Sequence, residues 1–392
     1  MKPIKITGKA CICILIFFSS CLVIRKKEVA KVIGHVEPEP ATYCFTVKTK
    51  ITDILSVSAK IGNQANEQDF MFDTGSPLTY SFKTKDSFNI AAKKYFKIGS
   101  YKCDYGTGAV TFGNVKFNNA GFIVTDHILR EYPEVDGLIG SSLLQTSICE
   151  LNFADSTIKI SNDLANFTNI KNSYAGSFEP SEAQATPIVK IAIGKDTLTA
   201  FIDTGFSGLI KFNGNVKLPP GAATKREWYR NVKYFGGSKK DLFVNGAYYQ
   251  VSRLGISGLQ LDSMIIWQDP KYYGRNLVGL AFLKKFIVTI DWAHHRIYLK
   301  PIEELHFRQI HTYGFTCWMQ DKQLRVMDIY KGSDIEKAGV RSGDVIAGIN
   351  NTNDFSEAMI SGINSNKPGN DSIQLEIKGR PAITLKKQRL FN

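Results

Sequence analysis

Phe70-Met71-Phe72-Asp73-Thr74-Gly75-Ser76 is an apolar run that ends abruptly in a carboxylate. The run reads as a buried strand. An acid at the end of such a strand is costly unless it is neutralised, paired or hydrogen-bonded, so its presence points to use. A second copy, Ala200-Phe201-Ile202-Asp203-Thr204-Gly205, lies 130 residues later, again with apolar strand before the Asp and Gly directly after the Thr. One such string is compatible with a structural Asp capping a turn; two in matching context point to a pair. Two carboxylates brought together at a symmetry axis share one proton and polarise a water, because two like charges in contact do not both ionise.

Outward from these strings, Asp136-Gly137-Leu138-Ile139-Gly140 follows the first copy and Arg275-Asn276-Leu277-Val278-Gly279 the second. Their continuations align without a gap at an offset of 139: Leu144 with Leu283, Asn152 with Asp291, Ile158 with Ile297. The offset grows from 130 to 139, so the second copy carries a net insertion of nine residues between its landmarks. Alternating apolar segments with Gly and Asn punctuation read as many short strands. The internal repeat therefore predicts two β-rich lobes, 43–161 and 186–302. Residues 162–185, rich in Asn, Ser, Ala and Glu, read as a linker.

Asp-Thr-Gly followed by two apolar residues and Gly, once per lobe, is the pair of landmarks typical of pepsin-like and retroviral-type aspartic proteases. The chain resembles that superfamily over about two thirds of its length. The short lobes and the Asp136–Gly140 wording look more like the retroviral type, fused into one chain. The resemblance implies a mainly β fold of two pseudo-symmetric closed β lobes, with the later segment of each packing beside the Asp loop. It makes Asp73 and Asp203 the catalytic pair, the ionised member taking a proton from water and the protonated one donating to the scissile carbonyl. No covalent intermediate, metal or other cofactor is implied. Thr74 and Thr204 would hydrogen-bond across the two-fold axis, and Gly75 and Gly205 would let the backbone approach the carboxylates.

Ser76 has Phe206 as its counterpart. In the family a hydroxyl here donates to the outer oxygen of the Asp, which would lower the pKa of Asp73 and make it the ionised member; Ser207 is a substitute donor for Asp203. Tyr105-Gly106-Thr107-Gly108 resembles the flap tip that folds over substrate, with a plain hairpin turn as the alternative. Gly236-Gly237-Ser238 is the corresponding tip in the second lobe.

Residues 303–392 follow another pattern. Tyr313-Gly314-Phe315-Thr316, the apolar segment 324–329 and the string Gly332-Ser333-Asp334 through Gly343-Asp344-Val345-Ile346 closely resemble a bacterial PDZ domain, an α+β fold. The resemblance implies that an extended peptide adds a strand beside Phe315 and Thr316, its C-terminal carboxylate held by backbone N–H groups around Gly314.

Residues 1–24 hold a basic start, the apolar run 11–18 and then Ser19-Ser20-Cys21, which describes a secretory signal. The run is short for a transmembrane helix. Because the small residues end on Cys21, the segment resembles a bacterial lipoprotein signal, implying cleavage before Cys21 and lipid attachment to it. Phe18 departs from the usual Leu and Leu22 to Ile24 prolong the apolar run, so an uncleaved anchor is the alternative. Either way the body is expected outside the cytoplasm, in the periplasm or on the outer membrane of a bacterium. Residues 25–42, charged and containing Pro38 and Pro40, read as a tether.

Composition sets the outer bounds. With 43% hydrophobic and 22% charged residues in 392, the chain is globular and not disordered or fibrous, and long enough for two or three domains. The net charge is +13, of which Lys2, Lys5 and Lys9 belong to the signal. The remaining lysines are scattered among apolar residues, which speaks for a solvated basic face and against a nucleic-acid-binding fold. The six His are dispersed, so no metal site is expected. Cys44, Cys103, Cys149 and Cys317 allow three pairings; one bridge within the first lobe and free buried thiols are both open. The expected function is an extracytoplasmic aspartic endopeptidase acting on polypeptides, with a C-terminal domain that binds peptide ends or regulates the cleft. The alternative is a non-catalytic peptide-binding lipoprotein.

Overall fold

The computed structural model describes residues 33–391 except 53, 63, 83–90, 99–100, 126–134, 182–184, 219–222, 232–242, 270–273, 306, 308–309, 321 and 365–370. The signal-like segment, Cys21 and Gly236-Gly237-Ser238 lie outside the described residues. Among the described residues strands make up 57% against three short helices, which makes the fold mainly β.

Two closed six-stranded barrels dominate it. Around the first run Leu55–Ile61, Gln68–Asp73, Gly137–Gly140, Thr79–Ser81, Val115–Val124 and Tyr101–Phe112, and Ile61 pairs with Val110 to close the ring. Around the second run Pro187–Ile193, Asp196–Asp203, Leu277–Gly279, Ile210–Phe212, Leu259–Gln268 and Phe243–Ile256, closed by Ile191 on Ile256. The two rings follow the same order, and the closing residues Ile61 and Ile191 repeat the spacing of the two Asp. Alternation drives the closure: in Pro187–Ile193 the residues Val189, Ile191 and Ile193 are buried while Lys190 and Ala192 are exposed. Phe72, Phe112, Phe117 and Phe122 of the first barrel and Ile202, Ile210, Phe212 and Ile266 of the second belong to one hydrophobic core.

A six-stranded antiparallel run joins the barrels: Tyr174–Ser177, Arg296–Pro301, Phe286–Asp291, Ile148–Asn152, Thr157–Ser161 and Cys44–Ile51. At its centre Glu150 pairs with Thr289, 139 residues away, the offset at which the sequence halves align. Each residue faces its own counterpart, so the pseudo-two-fold axis passes between them. The repeat seen in the sequence is thus a rotational repeat in space, and the arrangement is compatible with a two-lobe aspartic-protease-like fold.

Two segments differ from their sequence reading. Tyr174–Ser177, within the stretch read as a linker, is a strand of the joining sheet. Gly34–Glu39, within the tether, pairs along Val115–Val124; an edge position suits Pro38, which has no N–H to give a ladder. Of the two alternatives left open for the cysteines, the one without a bridge holds: none of Cys44, Cys103, Cys149 and Cys317 is in a disulfide; Cys149 and Cys317 are fully buried and their thiols are pushed up by burial, Cys317 to about 12.

Beyond the lobes, residues 310–391 gather a second core around Phe315, Leu324, Val326, Ile335, Val340, Ile349, Leu375 and Leu385. A self-standing PDZ domain is not evident. The strands Phe315–Gln320 and Gln323–Tyr330 continue the sheet of the second barrel, Tyr229 facing Ile329 across the seam. Ile346–Ile349, Ser372–Ile377 and Ile383–Lys386 form a separate three-stranded sheet. Ser333 caps the short helix Asp334–Lys337, and Glu357–Asn364 packs on Phe315–Gln320.

Candidate active site

Each Asp ends its strand beside a parallel brace: Asp73 is in register with Gly140, and Asp203 with Gly279. The braces need glycine. A Cβ on Gly140 would stand 2.2 Å from the carbonyl oxygen of Leu78, and one on Gly279 2.3 Å from that of Gly208. The landmark glycines of the two sequence strings are therefore places where backbone meets backbone.

The two Asp-Thr-Gly loops meet on the pseudo-two-fold. The Thr74 hydroxyl donates to the carbonyl of Ile202 at 2.8 Å and accepts the N–H of Thr204 at 3.2 Å. Thr204 reciprocates, donating to the carbonyl of Phe72 at 2.6 Å and accepting the N–H of Thr74 at 3.0 Å. Four buried bonds thus fix one loop against the other. Each glycine faces the opposite acid: a Cβ on Gly75 would lie 2.3 Å from the carboxyl carbon of Asp203, and one on Gly205 2.5 Å from that of Asp73.

Asp73 and Asp203 are buried and hydrogen-bonded to each other. Oδ1 of Asp73 accepts the N–H groups of Gly75 at 2.9 Å and Ser76 at 3.0 Å; Oδ1 of Asp203 accepts those of Gly205 at 3.0 Å and Phe206 at 3.1 Å. Burial raises both acids. Asp73 comes to about 6, held there first by its hydrogen bond with Asp203 and then by the N–H groups of Ser76, Gly75 and Gly205, all of which favour its charged form. Asp203 is held well above the usual carboxylate range by burial and then by the neighbouring Asp73 charge. Asp73 is the member that ionises first, although the apparent constants belong to the pair.

The source of that asymmetry differs from the sequence reading. The Ser76 hydroxyl donates to the carbonyl of Leu78 at 2.9 Å and accepts its N–H at 3.4 Å. It closes its own turn instead of reaching Asp73. What separates the two acids is the hydrogen bond they share, which favours charged Asp73 and protonated Asp203; the main-chain donors are matched in the two loops and indifferent to the Ser-to-Phe change.

Tyr105-Gly106-Thr107-Gly108 is not a tip. Gly106 pairs with Ala92 on one side and Phe122 on the other, and Thr107 with Ala91 and Gly121. With ladders on both edges no turn forms there, and the irregularity next to Gly108 is a bulge towards Val110. The plain hairpin turn read at the same residues is not there either, since Tyr105–Gly108 lies within the strand Tyr101–Phe112, paired with Ala91–Ile98 on one side and Val115–Val124 on the other.

Sequence reading missed the wall of the second lobe. Phe206 stacks on Trp267 at 6.2 Å, and Trp267 meets Trp228 at 6.2 Å. Lys211, buried in an apolar strand, places its ammonium 4.5 Å from the Trp267 ring centroid, and burial lowers it to about 8. The indole nitrogens of Trp228 and Trp267 are buried without a hydrogen-bond partner. A lysine inside Leu209-Ile210-Lys211-Phe212 was the available signal, since a charge in a buried strand is costly. Across the seam Arg230 grips Asp328 through both carboxylate oxygens at 2.8 and 3.1 Å, and the Thr316 hydroxyl donates to the same carboxylate at 2.8 Å. Gly314, expected to present its N–H to a peptide carboxylate, gives it to the Thr312 hydroxyl at 3.0 Å.

No family model matches the chain, and no curated protein matches it either.

Proposed function

We propose that the chain is an aspartic endopeptidase that hydrolyses peptide bonds at the Asp73–Asp203 pair. The observation that carries this reading is two buried carboxyls brought together on the pseudo-two-fold by the interlocked Thr74 and Thr204 loops, with burial raising both. A water between them gives a proton to ionised Asp73 as its oxygen attacks the carbonyl carbon. Asp203 gives its proton to the carbonyl oxygen. Collapse of the tetrahedral species breaks the C–N bond: one of its hydroxyls returns a proton to Asp203 as the carbonyl re-forms, and the leaving amine takes the proton from Asp73. The Thr74 and Thr204 bonds hold both acids in place at no cost during reaction.

The same reading makes residues 303–392 a PDZ-like unit whose strand Phe315–Gln320 receives extended peptides. It makes Cys21 the lipidated anchor of an extracytoplasmic bacterial protein. The test is mass-spectrometric profiling of a peptide library incubated with residues 25–392 and with its Asp73→Asn and Asp203→Asn variants. Cleavage by the parent and by neither variant is expected. Cleavage retained in a folded single variant would overturn the paired-acid mechanism.

A further inference from the structure

Phe315–Gln320 is the terminal strand of its sheet, with Gln323–Tyr330 as its ladder partner. At the other edge stands Asn364, the last residue of the helix Glu357–Asn364. Its Nδ2 donates to the carbonyl of Cys317 at 2.9 Å, and the Cys317 N–H donates to its Oδ1 at 2.9 Å. A residue that exchanges both its N–H and its C=O with one partner amide makes the bonds of one hydrogen-bonded pair in an antiparallel ladder. The Asn364 side chain therefore fills the slot that one residue of an added strand would take.

We propose that Asn364 is a latch on this edge, competing with an extended peptide for the main chain of Cys317 and leaving when the peptide enters. The inference rests on the reading of Phe315–Gln320 as a peptide-receiving strand. The opposite side of the strand is fixed: Thr316 is tied to Asp328, which Arg230 of the second lobe holds. Ile363, beside Asn364, is buried and anchors the helix, so the part that moves is the Asn364 side chain. The occupant is an extended segment bearing apolar residues. Trp318 and Met319 on the same strand are 55% and 40% exposed, among the few large hydrophobics so placed, and a peptide lying along this edge covers them.

The test uses the full chain and an immobilised library of heptapeptides with free carboxyl ends. Asn364→Ala removes two neutral hydrogen bonds that compete with the peptide, so retained peptides should bind about tenfold more tightly than to the parent. The Cys317 amide should exchange faster in the variant and slow again when peptide is added. Asn364→Ser, too short to bridge both atoms, should act in the same direction if the Ala variant does not fold. A merely structural Asn364 would lower stability without raising affinity. Equal retention by parent and variants overturns the latch alone. No retention by any of them overturns strand addition, and the latch with it.

Discussion

Thr74→Val tests whether the two lobes are held together at the acids. Valine fills nearly the space of threonine but has no hydroxyl, so the carbonyl of Ile202 and the N–H of Thr204 lose partners now at 2.8 and 3.2 Å. Both groups are buried in the opposite lobe. A buried unsatisfied backbone group costs about 1–3 kcal/mol, so the loss should be about 2–6 kcal/mol, a large part of the roughly 5–15 kcal/mol that holds a domain folded. Thr204→Val breaks the symmetry-related pair and should cost the same. Thr74→Ser keeps the hydroxyl and should recover most of the loss. Urea unfolding followed by tryptophan fluorescence and far-ultraviolet circular dichroism reads the difference as a shift in midpoint. A Thr74→Val protein within about 0.5 kcal/mol of the parent, the range of inert surface changes, would refute the claim that these bonds fix the loops.

The acids give stability a pH dependence of definite sign. Burial raises both acids above the free value of 3.8, so the native state holds their protons more tightly; stability is greatest below about pH 4 and falls as pH rises through about 6. Asp73→Asn should flatten that slope in denaturant midpoints measured from pH 4 to 7. Ser76→Ala should leave the acidic limb of the kcat/KM profile in place, because its hydroxyl bonds Leu78 and not Asp73; a limb displaced by half a pH unit would contradict this. Gly205→Ala drives a methyl to 2.5 Å from the Asp73 carboxyl and should lower peptide cleavage by about a thousandfold or more, the scale set by losing an essential acid or base, while strand content by circular dichroism persists. Arg230→Met leaves Asp328 without its bidentate partner and should cost about 2 kcal/mol or more, and isolated residues 303–392 should melt less cooperatively than the same residues within the full chain.

Much of the site could be read from the sequence because its signals are local. An apolar strand ending in Asp, a glycine where backbone must pass close, and a second copy at fixed spacing are properties of a few consecutive residues. Their repetition at offsets of 130 and 139 foreshadows both the two barrels and the axis at Glu150 and Thr289. The buried Lys211 is the same kind of local signal, a charge within an apolar strand.

What the sequence determined by itself was the identity and order of these local pieces; what tertiary structure decided was which partner each piece meets. Tyr105-Gly106-Thr107-Gly108 looks like a turn until Ala91–Ile98 and Val115–Val124 pair on either side of it. The Ser76 hydroxyl has two acceptors within reach in principle, and the course of the loop towards Leu78 chooses between them. Gly34–Glu39, Tyr174–Ser177 and Gln323–Tyr330 become parts of larger sheets only because free strand edges stand beside them. A strand's period is written in its own side chains, whereas its ladder is completed by N–H and C=O groups that every residue but proline carries alike. The choice among such edges is therefore made by the folded chain, where an unpaired edge and a free segment come within hydrogen-bonding distance.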